Sequence, residues 1–323
     1  MLDYIAITKY LEGKDTPYFA NCKWLAAYNG GGERYAVEGC EQLEAIWNER
    51  TRILKIRGSV PYFIQGHNFA CDKATFVEAV DHLQARLKTG LWDAFVDAVE
   101  VGAIFEVERR PKEYIKNHHA RRAAHFLENA KPKDKGNFKW WEEGGGDSLK
   151  MYDAGRNILM KQGTKRREII QEAGWNPCAD YLKIEAHINR PARVNGGAAL
   201  LLEDCVNGEK YAMLRARLQE LYNELEPMRT LETPTDKSNL RTQDLLALAL
   251  AEEYMNNHNC GHDEARKALF ERINAMSEEI LTKADKDARK RQIRAIFGKM
   301  QEAAQSEFDL NEELAASLAN ENW

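Results

Sequence analysis

No apolar run in the 323-residue chain reaches the roughly 18 residues that cross a bilayer as a helix, so no membrane span is expected. No Cys-x-x-Cys pair occurs, because Cys22, Cys40, Cys71, Cys178, Cys205 and Cys260 are scattered. That pattern fits free thiols in a reducing compartment rather than a disulfide framework. The cluster His258-Asn-Cys260-Gly-His262 has no second ligand pair at a zinc-type spacing and reads as a polar loop between helices. The opening Met1-Leu2-Asp3-Tyr4 lacks the basic and then apolar regions of a leader, and the expected location is the cytoplasm. An excess of positive charge is also missing: the net charge is -5 and the pI about 6.0, which excludes a nonspecific nucleic-acid coat. There is no repeat of fixed period and no low-complexity tract.

What is present is an ordinary balance, 44% hydrophobic and 30% charged, on a chain long enough for about two domains. Local basic patches survive the acidic total. Arg109, Arg110, Lys112, Lys116, Arg121, Arg122 and Lys139 fall in one stretch, and Lys161, Lys165, Arg166 and Arg167 in another. Such runs are either solvated helix faces or phosphate contacts. Residues 2–7, 52–57, 103–109, 148–153 and 181–189 read as strands. Residues 73–88, with Phe76, Val77, Val80, Leu83 and Leu87 at helical spacing, read as an amphipathic helix. Further helices are expected over 112–130 and 165–173. From about residue 208 the pattern turns helical, over 211–225, 242–256, 263–283 and 285–304. The expectation is an α+β protein. An antiparallel central sheet with flanking helices spans 1–207, and a mainly helical C-terminal domain spans 208–323.

Strand geometry supplies the chemistry. Side chains alternate between faces, so in 181–189 Tyr181, Lys183, Glu185, His187 and Asn189 share one face, opposite Leu182, Ile184, Ala186 and Ile188. In 148–153, Lys150 and Tyr152 share a face; in 103–109, Ile104, Glu106 and Glu108 do. If these strands belong to one sheet, Glu106, Glu185, His187 and Tyr152 converge on its open side. Carboxylates with an imidazole suit Mg²⁺ or Mn²⁺, and a nearby tyrosine would attack phosphorus. The bland alternative is the solvent side of an antiparallel sheet.

Three segments carry a family resemblance. Gly58-Ser-Val-Pro-Tyr-Phe-Ile-Gln-Gly-His-Asn-Phe69 resembles the Ser-Pro-x-Lys-x-x-Gln-Gly-His-Asn stretch of filamentous-phage gene II replication proteins. Tyr181-Leu-Lys-Ile-Glu-Ala-His-Ile-Asn-Arg-Pro191 resembles that family's Arg-x-Glu-Ala-Arg strand, and Leu149-Lys-Met-Tyr-Asp153 its tyrosine strand. Plasmid rolling-circle initiators of the Rep_trans type are similar. The resemblance covers roughly residues 1–200. It implies a metal-dependent nickase in a bacterial host. Such an enzyme opens a replication origin on one strand, becomes joined to the 5′ end, leaves a 3′ hydroxyl for the host polymerase and reseals the circle.

Carried over by position, Tyr152 matches the nucleophile, with Lys150 on its face to assist it. Glu185 matches the late-strand carboxylate, and Glu106 the acid of the middle strand, with Glu108 as its substitute. His187 stands where relatives have Arg or Glu, so its metal role rests on strand geometry. The His-hydrophobic-His pair of two-histidine rolling-circle nucleases is missing. Gln65, His67 and Asn68 are expected either as a turn or as a loop beside the DNA path. Arg121, Arg122 and Lys139 are expected at phosphates, Trp140 against an unpaired base, and His118 and His119 on the phosphate side or the surface. Expected partners are double- and single-stranded origin DNA. The helical end leaves contact with the origin duplex, dimerisation and recruitment of a host helicase open. The rivals are a noncatalytic DNA-binding regulator of a phage or plasmid with the same fold, and a helical adaptor.

Overall fold

The computed structural model describes residues 1–28, 30–37, 40–121, 126–128, 136–144, 146–227, 242–258, 260, 262–303, 306 and 308–319. Strands β1 (Leu2–Tyr10), β2 (Cys22–Tyr28), β3 (Gly32–Val37), β4 (Cys40–Asn48) and β5 (Ile53–Ser59) lead into helices α1 (Val60–Gln65) and α2 (Lys73–Leu87). Strand β6 (Phe95–Val107) precedes α3 (Pro111–Asn117), β7 (His118–Ala120), β8 (Phe126–Glu128), β9 (Phe138–Glu143) and β10 (Ser148–Asp153). Then follow α4 (Ala154–Gln162), α5 (Arg166–Glu172), β11 (Asp180–Asn189), α6 (Gly208–Asn223) and β12 (Leu225–Pro227). Helices α7 (Thr242–His258), α8 (His262–Ala275), α9 (Lys283–Ala303) and α10 (Asn311–Ala319) close the chain. A 10-stranded antiparallel sheet runs in the order β2-β3-β4-β5-β1-β6-β11-β10-β9-β8, and β12 pairs with β7 apart from it. This is the expected α+β class. Among the described residues no helix is long and apolar enough to cross a membrane.

The two faces of the sheet differ as strand alternation demands. On one, Leu182, Ile184, Ala186 and Ile188 of β11 and Val99, Val101, Ala103 and Phe105 of β6 are buried in the main core. Helix α2 covers that face with Phe76, Ala79, Val80, Leu83 and Leu87. Its start is fixed by Asp72, whose side chain accepts from the Thr75 amide at 2.8 Å. On the other face, α4 and α5 bury a smaller cluster of Phe69, Ala154, Ile158, Ile169, Ile170 and Tyr181. They cover one end of the polar face and leave the part around Glu185 as a cavity.

Several expected boundaries move. The strand expected over 103–109 is the end of the longer β6, a nearly continuous apolar run between two partners, as a strand buried on both faces requires. The basic helix expected over 112–130 stops at Asn117. His118 then enters β7, with one ring nitrogen 2.8 Å from the Tyr114 carbonyl and the other 2.9 Å from the Tyr222 hydroxyl. Both His118 and His119 are buried, which removes them from any phosphate-facing surface. Strands β2–β4 and β9 and helices α1, α4 and α10 fall outside the sequence expectation. Helix α6 begins at the expected boundary of 208, yet Tyr211, Leu214, Leu218, Leu221 and Tyr222 belong to the sheet's own core, as do Phe308, Leu310 and Leu314. Helices α7, α8 and α9 pack on one another around Met255, Cys260 and Ala265. His258 stacks on Tyr254 at 4.0 Å, in keeping with a polar helix end rather than a ligand.

Gly58 on β5 lies where only glycine fits. Its φ is 144°, and a Cβ would meet the Gln42 carbonyl oxygen at 1.9 Å and Leu43 Cα at 2.7 Å. Gly58 pairs with Ile5 on one side and Leu43 on the other, so neither strand can retreat. Gly58→Ala should cost at least about 3 kcal/mol, read as a lower urea midpoint. Gly174→Ala, with φ of 80° in open space, should cost only about 1 kcal/mol. Equal losses would show that the close approach is unimportant.

Candidate active site

A β-bulge assembles the site. Leu2 pairs with Val101 and Ile5 with Val99, so Asp3 and Tyr4 of β1 together face Glu100 of β6. Regular alternation would send Asp3 and Tyr4 to opposite faces; with the extra residue both line one cavity of about 260 Å³. Glu100 enters it from β6, Glu185 from β11, and Lys150 and Tyr152 from β10. The pairing of Lys150 with Glu185 and of Tyr152 with Lys183 sets them side by side. Gly102 lies opposite Glu185. A Cβ there would meet Glu185 Cγ at 2.9 Å, so this glycine leaves room for the carboxylate.

Asp3, Glu100 and Glu185 each offer a carboxylate oxygen within 4.8 Å of the others. Lys183, 1% exposed, places Nζ 2.9 Å from Asp3 Oδ2 and 2.6 Å from Glu185 Oε1, and donates to the Asn68 carbonyl at 2.9 Å. Lys150 pairs with Glu100, whose same oxygen is 2.9 Å from His187 Nδ1. The Tyr152 hydroxyl donates to Glu185 Oε1 at 2.8 Å. Asn68 donates to Asp3 and reaches the Tyr152 oxygen at 3.4 Å, and Ser59 donates to Asp3. Three hard oxygen donors at this spacing fit Mg²⁺ or Mn²⁺, and Asp3, Glu100 and Glu185 are the residues that would hold it.

The charges are tuned against one another. Burial alone would raise the Asp3 carboxyl, but Lys183 and hydrogen bonds from Ser59 and Glu185 outweigh it and hold Asp3 well below the usual carboxylate range. Glu185 goes the other way, to about 7, because burial and the charges of Asp3 and Glu100 prevail over Lys183. Burial opposes the Lys183 ammonium, yet Asp3 and Glu185 raise its pKa above the usual lysine value. Burial and then the Glu185 and Asp3 carboxylates push the Tyr152 phenol well up, so at rest it keeps its proton and donates it in the hydrogen bond to Glu185.

The structure sorts the expected site residues. Tyr152, Lys150, Glu185 and Asn68 line the cavity, and His187 adjoins it through Glu100. Glu185 was expected on an exposed face; it is 3% exposed, because α4 and the Asn68 loop cover the strand and Lys183 compensates its charge. Glu106 is not in the cluster. It is exposed, six residues along β6 from Glu100, or about 20 Å at the strand rise; Glu108, further on, is exposed too. Gln65 closes the turn after α1, donating to the carbonyls of His67 and Ala70, and Gly66 caps that helix with φ of 73°. Trp140 pairs with Lys150 on the cavity's face, next to Phe138 at 5.5 Å, while Trp141 is buried. Lys139 is buried on the opposite face and donates to the His118 carbonyl at 2.7 Å, so it does not meet DNA. Arg121 is exposed and donates to the Leu225 carbonyl at 3.2 Å; Arg122 lies outside the described residues. Asp3 and Glu100 were missed. The available signal was Glu100 itself, a carboxylate amid Ala98, Val99 and Val101; the bulge that turns Asp3 inward left none.

Glu185 has a folded pKa of about 7, above its ordinary 4.5. Its contribution to stability is therefore fully present below 4.5 and lost as pH rises through 7, by up to about 3 kcal/mol. In EDTA, the urea midpoint of wild type should fall between pH 5 and 8 relative to that of Glu185→Gln, which fixes the neutral form; the buried His118 ring and N-terminal amine, both held by burial below their usual pKa, add the same opposite slope to the two proteins. Parallel slopes in the two proteins would show that Glu185 does not titrate there.

No protein-family model, no curated protein and no solved structure matches the chain.

Proposed function

We propose that the chain is a metal-dependent DNA nickase, a rolling-circle replication initiator that cuts one strand of origin DNA through a covalent phosphotyrosine. The observation that supports this reading above all is the 2.8 Å hydrogen bond from the Tyr152 hydroxyl to Glu185 at the floor of the carboxylate cavity. A phenol is a weak nucleophile while it holds its proton. Glu185, 2.8 Å from that hydroxyl, is placed to accept the proton. The Tyr152 oxygen then bonds to phosphorus, the bond from phosphorus to the 3′ oxygen breaks, and that oxygen leaves with a proton from solvent. Reversal by the 3′ hydroxyl reseals the strand and frees the tyrosine. Asp3, Glu100 and Glu185 would hold Mg²⁺ or Mn²⁺, which would supply Lewis acidity at a phosphate oxygen. His187 orients Glu100 from behind. Lys150, and Lys161 above the Tyr62 ring at 4.5 Å, place positive charge around the cavity where charge develops on the phosphoryl group. Trp140, beside Lys150, offers a face for an unpaired base.

The reading carries the rest of the sequence expectation with it: origin DNA as the partner, the cytoplasm of a bacterial host as the location, and a host helicase or a second copy as candidates for the helical end. Tyr152→Phe removes one oxygen. It should bind origin DNA like wild type yet lower Mn²⁺-dependent nicking of a supercoiled origin plasmid by at least about a thousandfold. Wild type should yield an SDS-resistant, protease-sensitive protein–DNA adduct, and the variant none. An adduct that persists in Tyr152→Phe places the nucleophile elsewhere. A wild type that binds the origin but forms no adduct on it makes the protein a noncatalytic DNA-binding regulator.

A further inference from the structure

The face of the sheet that carries the cavity continues away from it along β1 and β5. Alternation on β1 sends Ile5 and Ile7 into the core and turns Ala6, Thr8 and Tyr10 to the side on which Tyr4 lines the cavity. Residues directly opposite on neighbouring strands share a face, so the register names what stands beside them. Ser59 is opposite Tyr4, Arg57 opposite Ala6 and Lys55 opposite Thr8. Glu44 is opposite Arg57, and Ile46, opposite Lys55, is opposite Arg34 in turn. Lys23 pairs with Ala36, which pairs with Glu44. On the β6 side, Ala98 is opposite Ala6 and Phe95 opposite Thr8. Walking along β1 from the cavity, one therefore passes Arg57, then Lys55, with the small side chains of Ala6, Thr8 and Ala98 low between them.

That walk ends on two aromatic rings. Tyr10 is 58% exposed and Phe95 42%, and the rings meet edge to face with centroids 6.0 Å apart. Tyr10 is six residues from Tyr4 on β1, about 20 Å at the strand rise. The charges beside the track favour an anion: Lys23, Arg34, Lys55 and Arg57 stand against Glu44 and Asp97. Glu44 binds Arg57 at 2.9 Å through one oxygen and Arg34 at 3.2 Å through the other. It sets two guanidinium groups side by side and leaves their sum positive. Asp97 accepts from the Thr8 hydroxyl at 2.6 Å. Exposed rings at the end of a basic row, continuous with a cavity lined by Tyr4 and Ser59, match what an unpaired nucleic-acid strand needs: cations for its phosphates and ring faces for its bases. A duplex has its bases already stacked and would gain only the charge.

We propose that this face of β1 and β5 is a platform for single-stranded DNA, on which Tyr10 and Phe95 stack bases and Arg57, Arg34 and Lys55 meet the backbone as the strand runs to the cavity. The nickase reading supplies the identity of the strand as DNA and its destination. Tyr10→Thr with Phe95→Thr removes both rings and keeps residues that suit strands, so the urea midpoint should not change. Binding of a fluorescein-labelled, mixed-sequence single-stranded oligonucleotide is followed by anisotropy over a salt series. The double variant should bind it at least about tenfold more weakly, with the salt dependence kept and the affinity for duplex of the same sequence unchanged. Lys55→Ala should instead reduce the slope of log K against log salt by about 0.7, one phosphate's worth. Abasic sites at one or two positions, to one side of the nick, should weaken wild type but not the double variant. Wild-type affinity in the double variant together with a wild-type slope in Lys55→Ala overturns the proposal, as does an equal loss for duplex and single strand. It is also overturned if wild type sediments as a dimer and the double variant as a monomer while DNA affinity stays the same, since the rings then belong to an interface between copies. A wild type that forms the covalent adduct, with both variants binding as tightly as it does, removes the platform and keeps the nickase reading. Loss of single-strand affinity in a protein that never forms an adduct sinks the nickase reading and supports the platform.

Discussion

The Lys183 ammonium between Asp3 and Glu185 is the interaction on which the rest of the structure depends. An unpaired charge buried this deeply would cost several kcal/mol, so each of the three groups needs the others. Asp3 comes from the first strand, Lys183 and Glu185 from the last strand of the sheet, and the Asn68 carbonyl that completes the ammonium's shell comes from the loop after α1. The pairing therefore ties β1 to β11 across β6, in the middle of the sheet. It also fixes the β1 bulge, because Asp3 reaches Lys183 only when two residues stand opposite Glu100.

Such a cluster is a poor way to gain stability. Apolar side chains of the same volume would hold the strands as well or better. What the polar set provides is convergence: three carboxylate oxygens within 4.8 Å, a phenol hydrogen-bonded to one of them, and two lysines beside them. Glu100, with Lys150 and His187 on one oxygen, repeats the balance of Asp3 and Glu185 around Lys183. Asp3 and Glu185 thus face the Lys183 ammonium and Glu100 faces Lys150, of which Lys150 lines the cavity where a phosphodiester would lie. The helices on the far face make this arrangement rigid. Helix α2 and helix α6 fill the apolar side, so the floor of the cavity stands on a packed core.

Much of this was legible in the sequence. Period-two alternation in β11 and β10 is strong enough to put Glu185, His187, Lys150 and Tyr152 on one face, and they lie there. The Gln65-Gly66-His67-Asn68 segment reads both as a turn and as a site loop, and it is divided: Gln65 and Gly66 make the turn, and Asn68 enters the cavity. The misreadings have physical causes. Glu106 and Glu100 have the same parity on β6, so alternation cannot choose between them; only register, with His187 opposite Glu100, does. A bulge breaks the rule that alternation relies on, which hid Asp3. The stretch after Asn117 has the composition of a basic helix, but burial of His118 against Tyr222 turns it into a strand. Glu185 seemed too charged to bury because its compensating lysine is two residues away on the same strand, and a sequence does not say which neighbouring charges face each other in a dry site.

The central claim is that Asp3, Glu100 and Glu185 form a seat for a divalent cation beside Tyr152. The most direct measurement is anomalous diffraction from crystals of the protein grown with Mn²⁺, for wild type and for Asp3→Asn. The account predicts one manganese peak among the three carboxylates in wild type, lost or much weakened in Asp3→Asn. A wild-type crystal with manganese bound elsewhere and no peak among the three carboxylates would contradict it.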